Sequence, residues 1–547
     1  MPVNFSPLKL KRHGDFIFRR KFRVPENFKK MIRNNNKQTV DTDTSFKRDA
    51  GVSKHLYSII AAVIISVFLI LAVGSSLTTR PESDEGEFAS PALNLVTEGH
   101  FGTTIFEKDK LSLTRIEQRT YWVMPLFLLN AAASFKAFGF SLFAFRLVSI
   151  FWGLVLISAW YFIFLKFSGN RLNSLLCLAL VACNYVVLAT ASIGRGDTMC
   201  AALGFAAFAV YLWMRERNLW LAILLSQILV TAAGLTHPNG IMAFFGLLFL
   251  TLYFDFRSIG WRHVAIASLP YIIGGSAFGW WVWQDPEAFK HQFIDNALMG
   301  GRMEGFSSPF SGFIKEFTVR YPRAFGLLES SPGHSGPIYL KSLILVGYAI
   351  GLLGVIFTKQ LRRDRNFRPL LILAAIYFVV MSLLDGQKLA VYLIYIVPFY
   401  SALLSIWLYH MWEKRRIPLP LLILGVSGFI LLQTGGIALR IKQNTYGNYY
   451  LPAVEYLNQT AADDELIMGS AELRFALKPS ANTIADGRFA FYTGKRPEYI
   501  VYDPGIEDSW KDSKIFFPEF YEYFPRLLKE EYRIAYENTA FKVYVRR

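Results

Sequence analysis

Cysteine is almost missing: Cys177, Cys183 and Cys200 are the only three in 547 residues, and all lie in or beside apolar stretches. No disulfide framework or zinc-type spacing can be built from them. There is no phosphate-cradling P-loop, no HExxH, no GxSxG, no internal repeat and no low-complexity tract. The one Asp-x-Asp, Asp41 to Asp43, falls in a basic N-terminal tail. Charged residues make up only 18% of the chain. Against these shortages stand 53% hydrophobic and 16% aromatic residues and a mean hydropathy of +0.31, too apolar for an ordinary soluble protein.

Apolar runs of bilayer-crossing length recur. Spans are expected at 55–77, 142–165, 172–190, 199–214, 219–235, 239–254, 262–283, 338–357, 369–384, 389–410 and 418–439, about eleven in all. The first begins after about 50 residues, beyond the usual n-region of a cleavable signal, so none is expected. The segment 120–140 is ambiguous, because Pro125, Asn130 and Lys136 interrupt it.

The formal charge of +17 is concentrated in the tail, residues 1–54, and in short loops between apolar runs. Lys and Arg favour the cytoplasmic side of short loops. If 120–140 does not cross, "KFSGNR", "RERN", "DFRSIGWR", "KQLRRDRNFR" and "EKRR" all join the basic tail on one side; if it crosses, all are translocated. The segment is therefore expected to lie in the outer interface or against the bundle. A nucleic-acid partner is not expected, since no stacking platform accompanies the basic residues. This topology makes 1–54 a cytoplasmic arm near anionic lipid and 55–440 a plasma (inner) membrane domain, with external loops at 78–141 and 285–337. Residues 441–547 alternate strand-like runs ("ELIMGS", "NTIADG", "EYIVYD", "FKVYVRR") with helix-like ones, as in a small external α/β domain.

Ionisable groups near membrane depth usually face a cavity or one another. On the outer side these are Asp84 and Glu85, Arg195 and Asp197, His237, Arg302 and Arg320, and Lys388 with Tyr392 four positions on. Each has a bland alternative. "SDEGE" reads as a solvated loop, Asp197 as a helix cap, His237 as a helix end, Lys388 as a snorkelling span end, and the arginines as loop solvation. Taken together they fit a site that holds an anion and removes a proton. Nucleotide sugars stay in the cytoplasm, so an outward-facing enzyme is expected to use a lipid-linked donor. Lys, Arg and Tyr hydroxyl would stabilise the departing lipid phosphate, and a carboxylate would deprotonate an acceptor hydroxyl.

In chain order, "DEGEFASPAL", "YWVMPLFLLNAAASFKAFGFSLFAFRLVS", "ASIGRGDT", "THPNG" and "KLAVYLIYIVP" resemble the GT-C superfamily of membrane glycosyltransferases. They fit best its protein O-mannosyltransferase-related branch, which includes the aminoarabinose transferase of lipid A modification. The resemblance runs from about residue 55 to 440 and implies a polytopic α-helical membrane fold with interfacial helices in the first external loop. It implies an inverting transferase moving a sugar from a polyprenyl-phosphate donor to a hydroxyl of an extracytoplasmic acceptor, whether glycolipid, lipid A, polysaccharide or protein. Asp84 would be the general base and Glu85 would shape the pocket. Lys388 and Tyr392 would hold the lipid phosphate, Asp197 and His237 would line the cavity, and Arg320 would contact substrate. No cofactor is required, although acidic groups and His beside a phosphate could bind a divalent cation. Glu87, Arg119 to Tyr121 and Gly196 depart from the family pattern, which leaves the sugar open. A transporter or flippase of lipid-linked sugars is the alternative, and a sensor with 441–547 as ligand-binding domain a third reading.

Overall fold

A computed structural model describes residues 54–107, 113–328 and 338–547. The basic tail expected at 1–54 lies, apart from Lys54, outside them. The first helix, α1 (Lys54–Thr78), is 25 residues long. At 1.5 Å per residue that is about 37 Å, enough to cross a hydrocarbon core of about 30 Å. A short turn leads to α2 (Ser83–Thr97), and after the first loop come α3 (Pro125–Phe138) and α4 (Leu142–Ser168). Gly169, in the left-handed conformation, stops α4.

Asparagines start the next helices. Asn170 caps α5 (Arg171–Ala182), its side chain accepting from the Asn173 N–H at 2.9 Å. Asn184 caps α6 (Tyr185–Ala191) through the amides of Val186 and Val187. Because Asn184 restarts the helix, α5 and α6 form one bent unit, with 57° between its halves. Then follow α7 (Gly196–Met214), α8 (Leu219–Thr236), α9 (Ile241–Asp255), α10 (Trp261–Trp283), α11 (Ser342–Phe357), α12 (Arg368–Leu384), α13 (Val397–Glu413) and α14 (Leu419–Gln443). Short helical turns fill much of 286–324.

Among the described residues eight helices are long and apolar enough to cross a membrane, or nine if the bent unit is one span. The chain is an integral membrane protein. The expected eleven are not all present as continuous spans. The 369–384 run forms a helix of only 17 residues, and the 389–410 run begins as a 3-10 turn, Ala390–Tyr395, before α13. The ambiguous 120–140 segment yields the 14-residue α3, about 21 Å long and too short to cross. It packs on α2 and α4 through Phe127, Leu128, Ala131 and Phe135.

After α14 the chain continues into α15 (Leu451–Thr460) and a five-stranded sheet. Its strands are β1 (Ile467–Gly469), β2 (Thr483–Ala485), β3 (Tyr499–Tyr502), β4 (Tyr532–Glu537) and β5 (Lys542–Arg546), in the order β2-β1-β3-β5-β4. The β1 pairings are parallel and the β5 pairings antiparallel. Helices α16 (Pro504–Phe516) and α17 (Pro518–Glu531) complete this unit. All four strand-like runs seen in the sequence are strands; β4 escaped notice because "EYRIAYE" follows the helical pattern of α17 without a break.

The sheet unit is stitched to the first loop. Phe106 bridges to Ala485 in parallel, and the Ala485 N–H donates to the Ile105 carbonyl at 2.8 Å. Lys495 pairs with the buried Glu107 at 2.6 Å. Phe475 stacks on Phe140 with ring centroids 5.4 Å apart. Gly86 of α2 lies so close to the Ala471 backbone that a Cβ there would fall 2.3 Å from a carbonyl carbon. Only glycine allows this approach.

Candidate active site

The first turn of α2 carries Asp84 and Glu85, where carboxylates are favoured by the helix dipole. Successive helical residues project about 100° apart, and these two carboxylates have different surroundings. Glu85 is fully buried, with Arg146 of α4 gripping both its oxygens at 2.8 and 2.6 Å. The amides of Gly194 and Glu82 donate to it at 2.6 and 3.0 Å. Arg146 spends its remaining donors on the carbonyls of Ser76, Thr79 and Arg80. This pair joins the end of α1, the start of α2, α4 and the loop before α7, and Glu85 does not line the cavity beside it. Its expected place in the pocket is thus corrected: its carboxylate is consumed by Arg146.

Asp84 faces that cavity, of about 210 Å³, with 45% of its side chain exposed. It is ion-paired with Arg195, the residue before α7. The Arg195 Nε donates to Asp197 at 2.9 Å, and Asp197 is 2% exposed. The second Asp197 oxygen lies 3.7 Å from His237 Nε2 and has no hydrogen-bond partner of its own. His237 closes α8, and its Nδ1 accepts from the Asn239 amide at 3.1 Å. That bond places the ring proton on Nε2 in the neutral form. Burial pushes the imidazole pKa down, so the ring is neutral at pH 7. Nε2 is 3.5 Å from the Tyr392 hydroxyl. Asp84, Arg195, Asp197, His237 and Tyr392 therefore form a continuous polar line, and every member lines the cavity.

Arg302 and Asp385 also reach the cavity, between apolar walls that include Trp122, Phe127, Met303 and Phe306. The loops carrying these two charges are tied together: the Gly386 N–H donates to the Arg302 carbonyl at 3.2 Å, and Gln387 to the Gly300 carbonyl at 2.8 Å. No carboxylate of the described residues pairs with the Arg302 guanidinium, which leaves it available to an anion.

Lys388 and Arg320 are placed otherwise than expected. Lys388 is buried, its ammonium bonded to Glu316 at 3.0 Å and to the Ser382 carbonyl at 2.8 Å. Burial lowers its pKa, against the pull of the Glu316 carboxylate. Arg320, also buried, pairs with Glu316 at 2.9 Å and Asp385 at 3.0 Å. Two acids and two bases thus balance in one cluster behind the cavity wall, and only Asp385 among them touches the cavity. Sequence reasoning missed Arg146, Glu316 and Asp385. Arg146 was findable as a lone guanidinium within an apolar run, whereas Glu316 had no such signal. Among the described residues no group of three or more His, Cys, Asp or Glu side chains is arranged to hold a metal ion.

No family model matches the chain, and no curated protein sequence matches it. Solved structures do. ArnT from Cupriavidus metallidurans bound to undecaprenyl phosphate shares 15% identity over 90% of this chain and 98% of that one, with a TM-score of 0.56. The Archaeoglobus fulgidus oligosaccharyltransferase tethered with an acceptor peptide shares 12% identity over 90% of this chain and 74% of that one, with a TM-score of 0.53. The chain accordingly has the fold shared by these two structures. Within it, this chain is similar to ArnT along nearly the whole length of both proteins.

Proposed function

We propose that the protein is an inverting glycosyltransferase that moves a sugar from a polyprenyl-phosphate donor to a hydroxyl of an extracytoplasmic acceptor. One observation carries this reading: a single cavity holds a half-exposed carboxylate, Asp84, and a guanidinium without a carboxylate partner among the described residues, Arg302, beside the Tyr392 hydroxyl. The bound undecaprenyl phosphate of ArnT supports a lipid phosphate as the leaving group. In the reaction the acceptor O–H gives its proton to Asp84 while the oxygen attacks the anomeric carbon. The C–O bond to the lipid phosphate breaks on the opposite face, which inverts the configuration. Arg302 and the Tyr392 hydroxyl take up the charge growing on the phosphate. Neutral His237 donates its Nε2 proton to the Tyr392 oxygen, and so holds that hydroxyl in place.

The basic loops and tail support an orientation with the N-terminus cytoplasmic, and with cavity and sheet unit outside the plasma membrane. The test is transfer of labelled sugar from a polyprenyl-phosphate donor by the protein reconstituted in lipid vesicles. Asp84→Asn should lower turnover by about 10²- to 10⁴-fold, the usual contribution of a general base, without loss of folded protein. Wild-type-like turnover of that variant would sink the base assignment, and hydrolysis or flipping of the donor without glycosyl transfer would sink the reaction class.

A further inference from the structure

A second cleft lies at the same end of the bundle as the cavity but shares no lining residue with it. It has a volume of about 190 Å³ and is lined by Thr79, Arg80, Glu82, Arg440, Gln443 and Thr445. These residues sit where α1 and α14 finish, and the two helices pack along each other. The cleft therefore stands at the level where a membrane's polar headgroups begin.

The arginines are the informative part. Arg80 has its backbone fixed: its N–H donates to Thr445 Oγ1 at 2.9 Å, and its carbonyl accepts from Arg146 at 3.1 Å. The guanidiniums of Arg80 and Arg440 have no hydrogen-bond or ion-pair partner among the described residues. Span-end arginines ordinarily snorkel apart into water; these two converge on one concavity. Thr79, only 9% exposed, adds a buried hydroxyl with no partner, a donor left over for a ligand. Glu82 at the same cleft is not within ion-pairing distance of either arginine. Two positive and one negative side chain leave one positive charge, which a phosphodiester would cancel. Guanidinium is the side chain best matched to phosphate.

We propose that this cleft binds the phosphate of a membrane-lipid headgroup, with Arg80 and Arg440 clamping the phosphate oxygens, the Thr79 hydroxyl donating to one of them, and Glu82 accepting from a headgroup hydroxyl. The site is independent of the transfer reaction, because it requires only that α1 and α14 span a bilayer.

The full chain, purified in detergent, is titrated with short-chain phosphatidylglycerol, with the matching neutral diacylglycerol and with inorganic phosphate. Binding is read by thermophoresis, and folding by the melting curve of each variant. Phosphatidylglycerol should bind at least about tenfold more tightly than diacylglycerol, and removing one guanidinium, Arg440→Gln, should cost about tenfold, as expected for a charged hydrogen bond. The double variant Arg80→Gln/Arg440→Gln should bind both lipids alike, whereas Arg80→Lys/Arg440→Lys should recover part of the preference. Unchanged phosphatidylglycerol affinity in folded Arg440→Gln overturns the proposal. So does equal affinity for the two lipids in the wild type. Inorganic phosphate binding as tightly as phosphatidylglycerol overturns the lipid assignment in favour of a free-phosphate site.

Discussion

Asp84 and Asp197 share a single guanidinium, that of Arg195. The bridge keeps two carboxylates close to each other in one cavity wall without leaving either uncompensated. Replacing Arg195 by Ala should therefore push the two carboxylates apart and lower turnover by about 100-fold, the scale of a misplacement near 1 Å. Arg195→Lys, whose compact ammonium lacks the planar fork that reaches Asp84 and Asp197 from different nitrogens, should recover only part of the loss. Turnover of both variants measured beside the wild type checks this; equal activity of the Lys variant and wild type would show that the fork is unnecessary.

Glu85 should behave as a structural residue. Breaking a fully buried ion pair from one side costs about 3–5 kcal/mol, because the remaining charge stays buried without compensation. Glu85→Gln should lower the melting temperature and the yield of folded protein sharply, and the double variant Glu85→Gln/Arg146→Met should lose less than the sum of the two single changes. A melting series over the four proteins decides it.

Arg302 and Lys388 should separate cleanly in kinetics and stability. Arg302→Ala, at a solvent-reaching side chain, should raise the donor KM about tenfold or more and leave the melting temperature alone. Lys388→Met should instead lower the melting temperature, because Glu316 would keep only Arg320. If Lys388→Met melts like wild type while raising the donor KM, the lysine reaches the donor after all.

Glu472, in the turn that packs on α2, gives a pH prediction. Burial, with Asp503 nearby, holds its pKa well above the ordinary carboxylate value, and one of its oxygens has no partner. Between the unfolded and the folded pKa, the folded state therefore binds a proton that the unfolded state has lost. Stability is complete below the unfolded pKa near 4.5 and falls as the pH rises towards the folded value. Glu472→Gln should melt higher than wild type at pH 7, and the gap should close as the pH falls to about 4.5. A gap independent of pH would contradict the burial of an ionisable carboxyl.

Much of the site was legible because its members sit beside helix ends, where sequence patterns are strong. Asp84 follows the first span, Asp197 opens α7, His237 closes α8, and Tyr392 follows "LDGQK". What the sequence could not assign was which charge is already taken. Lys388 looked available because Glu316, its partner, lies in a long loop with no pattern linking the two. Glu85 looked like a companion of Asp84 because they are adjacent in sequence, although adjacent helical positions face different neighbours. The bundle was readable from apolar runs, but the break at Asn184 and the 3-10 start before α13 were not, since both leave hydropathy unchanged.

The meeting of Gly86 with Ala471 joins the beginning of the membrane domain to its final unit. During synthesis α2 is made before α3 to α14, yet the backbone that covers it arrives only after those helices. The helix bearing Asp84 thus remains uncapped through assembly, and a chain cut after α14 would retain all its spans while leaving that helix open on one side. The unit that follows α14 acts as the keystone of a cavity whose other walls are already standing.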